Sequence, residues 1–210
     1  MIEVSIDNSA ALGAVRNQGC RPTCLVFVVS DINSYANVTG ELSVEYLAHH
    51  AANLTPNWNG EGFMVSTVTH AVETFGQPHE SLHPYNINDL YAPKTPPPSN
   101  LQPFYKVKFN NIDLGMDEVI STIEKGNIVG IAVAVTTSLY YPVDNLVEFE
   151  SNVLPGEYHA LVVTGLGKHK DSTELYFKVR NSWGDAWGVG GYAWLPKSYL
   201  DLHLYGTFSL

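Results

Sequence analysis

The sequence predicts an α+β fold, with a helical N-terminal lobe and an antiparallel β C-terminal lobe, and three observations carry that expectation. The first half holds segments with apolar residues at helical spacing that stop at glycine. A proline-rich stretch, residues 77–103 with Pro96, Pro97 and Pro98 in it, then reads as an extended crossing between lobes. Beyond Gly126 come β-rich runs punctuated by glycine, proline or asparagine.

Taken in order, residues 1–10 are short and mixed, with Val4 and Ile6 on one face, which suits an edge strand. The run from Leu25 to Val29 supports two readings. Its β-branched composition favours a buried strand. Pro22 and Thr23 instead suit a helix start, and Ile32, Tyr35 and Ala36 continue the apolar pattern at helical spacing as far as Gly40. A helix from about Ser43 to Asn53 opens on a good N-cap residue, and another from Met64 to Phe75 stops at Gly76, where a left-handed C-cap fits. Phe104 to Phe109 alternates like a strand, and Met116 to Lys125 is a short helix closed by Gly126. Strands follow at Ile128 to Thr136, His159 to Leu166, Leu175 to Val179 and Tyr192 to Leu195.

With 210 residues and 45% hydrophobic content, the chain can bury a full core as one compact unit of one or two lobes. Eleven Lys and Arg against 21 Asp and Glu leave a formal charge of −10, which argues against nucleic-acid and anionic-membrane partners. No apolar stretch approaches the roughly 20 residues needed to span a bilayer, and Met1 to Asp7 lacks a basic region followed by an apolar core. A cytoplasmic location is expected for the chain as written, or a secreted or translocated one if it is excised from a longer precursor. Cys20 and Cys24 stand too close to staple distant parts of the chain, so a reducing compartment is expected. A zinc site built on them lacks the second ligand pair such sites use, so no metal is expected.

The chemistry concentrates in three segments. Asn17-Gln18-Gly19-Cys20-Arg21-Pro22-Thr23-Cys24 sets a glutamine six residues ahead of a cysteine that precedes an apolar run. A thiol at a helix start faces the positive end of the backbone dipole and unpaired N–H groups, which favour the thiolate. A cysteine nucleophile also needs a nearby imidazole, itself oriented by a third polar side chain. His159 opens His159-Ala160-Leu161-Val162-Val163-Thr164-Gly165, and Asn181 opens Asn181-Ser182-Trp183-Gly184-Asp185-Ala186-Trp187-Gly188, each beside a run that reads as a core strand. Taken alone, Cys24 reads more readily as a buried structural thiol.

In that order, Gln-Gly and Cys, then His-Ala before an apolar strand, then Asn-Ser-Trp-Gly-x-x-Trp-Gly, the chain resembles the papain (C1) family of cysteine peptidases, in a divergent, microbial branch. Weaker echoes at Leu42-Ser43-x-x-Tyr46-Leu47, Asn59-Gly60-Glu61-Gly62 and Glu80-Ser81-Leu82-x-Pro84-Tyr85 extend the likeness over nearly the whole chain. The resemblance implies a papain-like two-lobe catalytic domain over residues 1–210. Its helical lobe would span about residues 11–100 and its β lobe about 104–210, with the strand at 1–10 packed on the β lobe and the active site in the cleft between. It also favours helix over strand for Leu25 to Val29.

The same resemblance implies roles. Cys24 would be the nucleophile that forms an acyl-enzyme, and His159 the base and acid beside it. Asn181 would orient the imidazole, with Trp183 shielding that hydrogen bond from water. Gln18 and the Cys24 backbone N–H would receive the oxyanion. Asn59, Gly60 and Gly62 fall in the segment with which the family pairs an extended substrate, although on residues alone the segment is nearly as well read as an ordinary turn. Glu157 falls where the family lines its main specificity pocket and would favour a basic side chain there; as a residue it reads first as a solvated loop carboxylate. The function implied is a cofactor-free cysteine endopeptidase that cleaves peptide or isopeptide bonds in a protein or peptide substrate, with a pro-segment or protein inhibitor as a further partner. Alternatives are an acyl-transfer ligase or transpeptidase on the same triad, and a papain-like binding module without turnover.

The sequence departs from the family pattern at several points. Leu25 stands where the family has Trp, and Pro22-Thr23 replaces Gly-Ser. Arg21 occupies the position of a disulfide cysteine, Cys20 falls one residue before it, and no partner cysteine lies near Asn59. The framework disulfides are absent, and pairing of Cys20 with Cys24 under oxidation, as a reversible off switch, is a hypothesis that full retention of activity after mild peroxide without reductant would count against.

Overall fold

A computed structural model describes residues 1–171 and 173–210. The chain divides into two compact units, residues 17–110 together with Leu210, and residues 1–16 together with 111–209. The fold is α+β, with N-terminal helices and an antiparallel sheet in the C-terminal part.

The helical unit is built on α1 (Cys24–Ala36), α2 (Val44–Leu54) and α3 (Val65–Phe75). The Leu25 to Val29 run is helical despite its β-branched composition, and burial explains why. All five residues are buried, with Val26, Val29 and Ile32 at 0% exposure, as befits a helix that is apolar nearly all round. Tertiary burial outweighs a per-residue propensity penalty of under about 1 kcal/mol. The polar residues on α1 are satisfied across the unit. Ser30 Oγ donates to the Leu42 carbonyl at 3.2 Å, and Asn33 Nδ2 donates to Gln77 Oε1 at 2.9 Å and to the Tyr105 carbonyl at 3.0 Å. α2 starts where the sequence places it: Ser43 Oγ accepts from the Tyr46 N–H at 3.0 Å and donates to the His83 carbonyl at 2.6 Å.

The alternating Phe104 to Phe109 segment is not a sheet strand. Tyr105 alone pairs, in an isolated bridge with Gln77 that exchanges two N–H···O bonds of 2.8 Å. The Asn33 side chain adds a second donor to the Tyr105 carbonyl, and the Asn37 side chain takes up the Lys106 carbonyl, which pairs with no strand among the described residues. Residues 104–110 accordingly group with the helical unit, and residues 11–16 with the β unit.

In the β unit, β1 (Ile2–Asp7), β2 (Asn111–Ile112), β3 (Val129–Ala134), β4 (Tyr158–His169), β5 (Leu175–Arg180), β6 (Tyr192–Pro196) and β7 (Leu204–Ser209) form one sheet. The order is β2-β7-β3-β4-β5-β6, and every strand pairing is antiparallel. β4 is the longest strand: β3 pairs with its first half, β1 with its far end, and β5 with the opposite edge. α4 (Met116–Glu124), α5 (Thr137–Tyr140) and α6 (Lys197–His203) complete the unit. α5, α6 and β7 lie outside the elements expected from periodicity. The core takes every second strand residue, Val129, Ile131 and Val133, then Leu161 and Val163, then Phe177 and Val179, then Ala193 and Leu195, closed by Val119 and Ile123 of α4 and Tyr199 and Leu200 of α6. His159 therefore heads the inward-facing row of β4, two residues before Leu161.

Candidate active site

His159 is 5% exposed, and its Nε2 lies 2.6 Å from Asn181 Oδ1. The same oxygen accepts from the Ser182 backbone N–H at 2.7 Å, which identifies it as the carbonyl end of the amide. An oxygen that only accepts requires Nε2 to carry the proton, so in the neutral ring Nδ1 is the basic nitrogen. Asn181 is itself held by its backbone N–H, which donates to the Gly191 carbonyl at 3.0 Å. Burial pushes the His159 pKa down to about 4, with the Asn181 hydrogen bond working in the opposite direction.

An aromatic stack covers this pair. The Trp183 ring lies 4.2 Å from the His159 ring, centroid to centroid, and Tyr140 stacks on Trp183 at 5.0 Å with the planes 7° apart. Trp187 packs edge-on against Trp183 at 6.0 Å and donates its indole N–H to the Leu139 carbonyl at 2.8 Å. The Tyr140 hydroxyl in turn donates to Glu157 Oε2 at 2.7 Å, an interaction that, with burial, raises the phenol to about 12. Glu157 is exposed and lines a cavity of about 250 Å³ with Ala134, Tyr158, His203 and Tyr205. The β unit thus brings together His159, Asn181, Trp183 and Glu157, joined through Tyr140.

The helical unit brings together the other group. Cys24 is the first residue of α1, half-buried, and the helix opens with the Phe27 N–H donating to the Thr23 carbonyl at 3.1 Å. Thr23 does not cap the helix with its side chain; its Oγ1 sits 2.7 Å from the Tyr85 hydroxyl instead. Gln18 is 6% exposed, and its Nε2 donates to the Arg21 carbonyl at 2.8 Å. Between them the chain turns at Gly19, at φ +61°, where a Cβ would stand 2.5 Å from Ile87 Cγ1. The Asn59 to Gly62 segment is a turn braced by the Trp58 indole N–H, which donates to the Glu61 carbonyl at 2.7 Å, and by Asn59 Oδ1, which accepts the Glu61 N–H at 3.3 Å. Gly60, at φ +97°, lies against Leu90 and Tyr91, while Gly62 is exposed with the Pro22 carbonyl nearby. This unit therefore places the glycine segment beside the Cys24 loop.

A sequence model described as papain family cysteine protease matches residues 5–201. The chain belongs to that family. Its papain-like fold is similar to the crystal structure of xylellain, a cysteine protease from Xylella fastidiosa, with a TM-score of 0.81 and 16% identity over 99% of this chain and 85% of that one. It is also similar to a structure from a study of the mite allergens Blo t 1 and Der p 1 (TM-score 0.73, 20% identity, 100% of this chain and 72% of that one). A third likeness is to digestive procathepsin L 3 of Tenebrio molitor larval midgut (TM-score 0.71, 18% identity, 98% and 70%). Among curated proteins, the cysteine endopeptidase Rep1 of Oryza sativa subsp. japonica shares 56% identity over 34 residues, 16% of this chain and 9% of that protein.

Sequence reasoning singled out no role for Tyr140, which touches Trp183 and Glu157, for Arg21, which touches Gln18, or for Glu45, which pairs with Arg21. Tyr85 carried a signal, as the last residue of the Glu80-to-Tyr85 echo; the others are tied in by contacts between residues far apart in the chain. Among the described residues no three His, Cys, Asp or Glu side chains come together as a metal site.

Proposed function

We propose that this papain-family protease cleaves peptide or isopeptide bonds through a Cys24, His159 and Asn181 triad, with Gln18 and the Cys24 N–H receiving the oxyanion. The observation that carries the proposal is the doubly bonded Asn181 Oδ1, which leaves Nδ1 of His159 as the basic nitrogen. In this reading the Cys24 thiol gives its proton to Nδ1, and the sulfur attacks the carbonyl carbon of the substrate. The tetrahedral oxyanion accepts from the Cys24 N–H and from Gln18 Nε2. As the intermediate collapses, the C–N bond breaks, the amine leaves with the proton from His159, and the acyl group stays on sulfur as a thioester. Water then gives a proton to His159 and attacks the thioester, and the released sulfur regains its proton as the acid product departs. The ring's low pKa in its buried site makes it a poor cation, so the thiolate formed opposite it supplies the charge that stabilises the imidazolium.

Asn59, Gly60 and Gly62 are assigned to the extended substrate backbone, since glycine allows close approach. Glu157 and its cavity are assigned to a substrate side chain, with a basic one favoured by the carboxylate. Protein and peptide substrates follow from membership of a protease family.

The test is intact-mass analysis after exposure to an epoxysuccinyl peptide under reducing conditions. One adduct on the wild-type chain, absent from Cys24→Ser and strongly slowed in His159→Ala, is expected. An unmodified wild type would overturn the assignment of an activated nucleophile and leave a binding module as the reading.

A further inference from the structure

Arg21 lies between Gln18 and Cys24 in the chain and is 2% exposed; its partner Glu45 is 3% exposed. Nη1 and Nη2 donate to the two Glu45 oxygens at 2.6 and 3.0 Å, a bidentate fork, and Nη1 also donates to the Asn86 carbonyl at 2.6 Å. Glu45 accepts in addition from the Asn86 N–H at 2.9 Å. The Tyr85 ring lies 4.2 Å from the guanidinium carbon, and its hydroxyl donates to the Gln18 carbonyl at 3.0 Å. With that proton spent, the 2.7 Å contact to Thr23 is a donation from Oγ1 to the phenol oxygen.

These bonds converge on the backbone of one residue. The Arg21 carbonyl accepts both from Gln18 Nε2 and from the Thr23 N–H, each at 2.8 Å. The side chain of Arg21 thus anchors a carbonyl that holds the Gln18 amide on one side and the residue before Cys24 on the other. Stability alone is a weak reason to keep such a group, because a buried ion pair is often replaced by packed apolar residues without loss. Orientation is a better one: a planar fork with a ring against it fixes direction as well as distance.

We infer that the Arg21–Glu45 pair, braced by Tyr85, is a positioning device that sets the Gln18 amide for the oxyanion. The inference rests on the role proposed for Gln18. It also accounts for how a loop without a disulfide at this position keeps its shape: Arg21 itself supplies the tether, without a covalent bond.

The test is a double-mutant cycle in kcat between Glu45→Gln and Gln18→Ala, with melting temperatures measured alongside. Gln18→Ala is expected to lower kcat by about 100-fold. Glu45→Gln is expected to lower kcat by about tenfold in the native background, with KM changed by less than about twofold, and to have almost no effect once Gln18 is alanine. The apolar pair Arg21→Met with Glu45→Leu guards against simple unfolding: it is expected to keep the wild-type melting temperature and still lose kcat. An equal Glu45→Gln penalty in both backgrounds, or wild-type kcat in the folded apolar pair, overturns the positioning role alone. A Gln18→Ala variant with unchanged kcat overturns the oxyanion assignment and the inference with it.

Discussion

At the scale of single residues, the arrangement turns on one amide oxygen that accepts two hydrogen bonds. Because the Ser182 N–H and His159 Nε2 both reach Asn181 Oδ1, the imidazole tautomer is set by backbone geometry rather than by a charge, and Asn181 needs none. The pH dependence follows. In the role proposed for it, His159 is a base only when neutral, and its burial keeps it neutral down to about 4. The acid limb of kcat/KM is therefore expected near pH 4, well below the 6.5 of an ordinary imidazole, with activity present above it and lost as pH falls through it. A pH–rate profile from pH 3 to 8 checks this; a limb at pH 6 or above would show that the ring titrates in a solvated site.

At the scale of elements, two helices of the helical unit carry predictions. α1 contributes Ile32 at 0% exposure, so Ile32→Ala is expected to cost about 2 to 5 kcal/mol in denaturant unfolding, the range for deleting a buried aliphatic side chain. α2 contributes His50, which stacks on Phe75 at 4.0 Å with the planes 11° apart. Burial first, and the neighbouring His49 second, lower the His50 pKa to about 4, and His83 is lowered in the same direction, chiefly by burial. A histidine kept neutral in the folded state contributes stability that is full above the unfolded pKa of about 6.5 and is lost progressively as pH falls toward 4. The melting temperature is expected to drop over that window, and His50→Phe, which keeps the stack without the titration, to flatten the drop. An unchanged slope in the variant would remove His50 from the account.

At the scale of the whole molecule, the dominant property is charge. A formal −10 over 210 residues gives the surface a negative field that attracts cationic substrates over distances longer than a contact. For peptides carrying several Lys or Arg residues, kcat/KM is expected to fall as salt rises from about 0.01 to 0.5 M, because the Debye length shrinks from about 30 Å to a few ångströms. Neutral peptides of the same length are expected to show little change. Equal salt dependence for both would place the effect in the enzyme's own conformation. Each unit also carries its own apolar core, the helical one on α1 to α3 and the β one on the sheet with α4 and α6.

The sequence by itself determined which residues are the candidates for the chemistry, because Cys24, His159 and Asn181 stand in local motifs that do not depend on what packs against them. It also determined α2, whose Ser43 cap forms as expected, and the β-rich runs that become β3 to β6, whose inward rows build the core. Tertiary structure decided the rest. Burial on all sides is what lets Leu25 to Val29 follow the expected helix against its β-branched propensity, and packing left Phe104 to Phe109 without a sheet strand to pair with. It also decided that Arg21, standing where the family resemblance suggests a disulfide, is tied to Glu45, Tyr85 and Asn86. Those partners lie tens of residues away along the chain, and a contact across that separation depends on how the helices pack, which no local period or motif records.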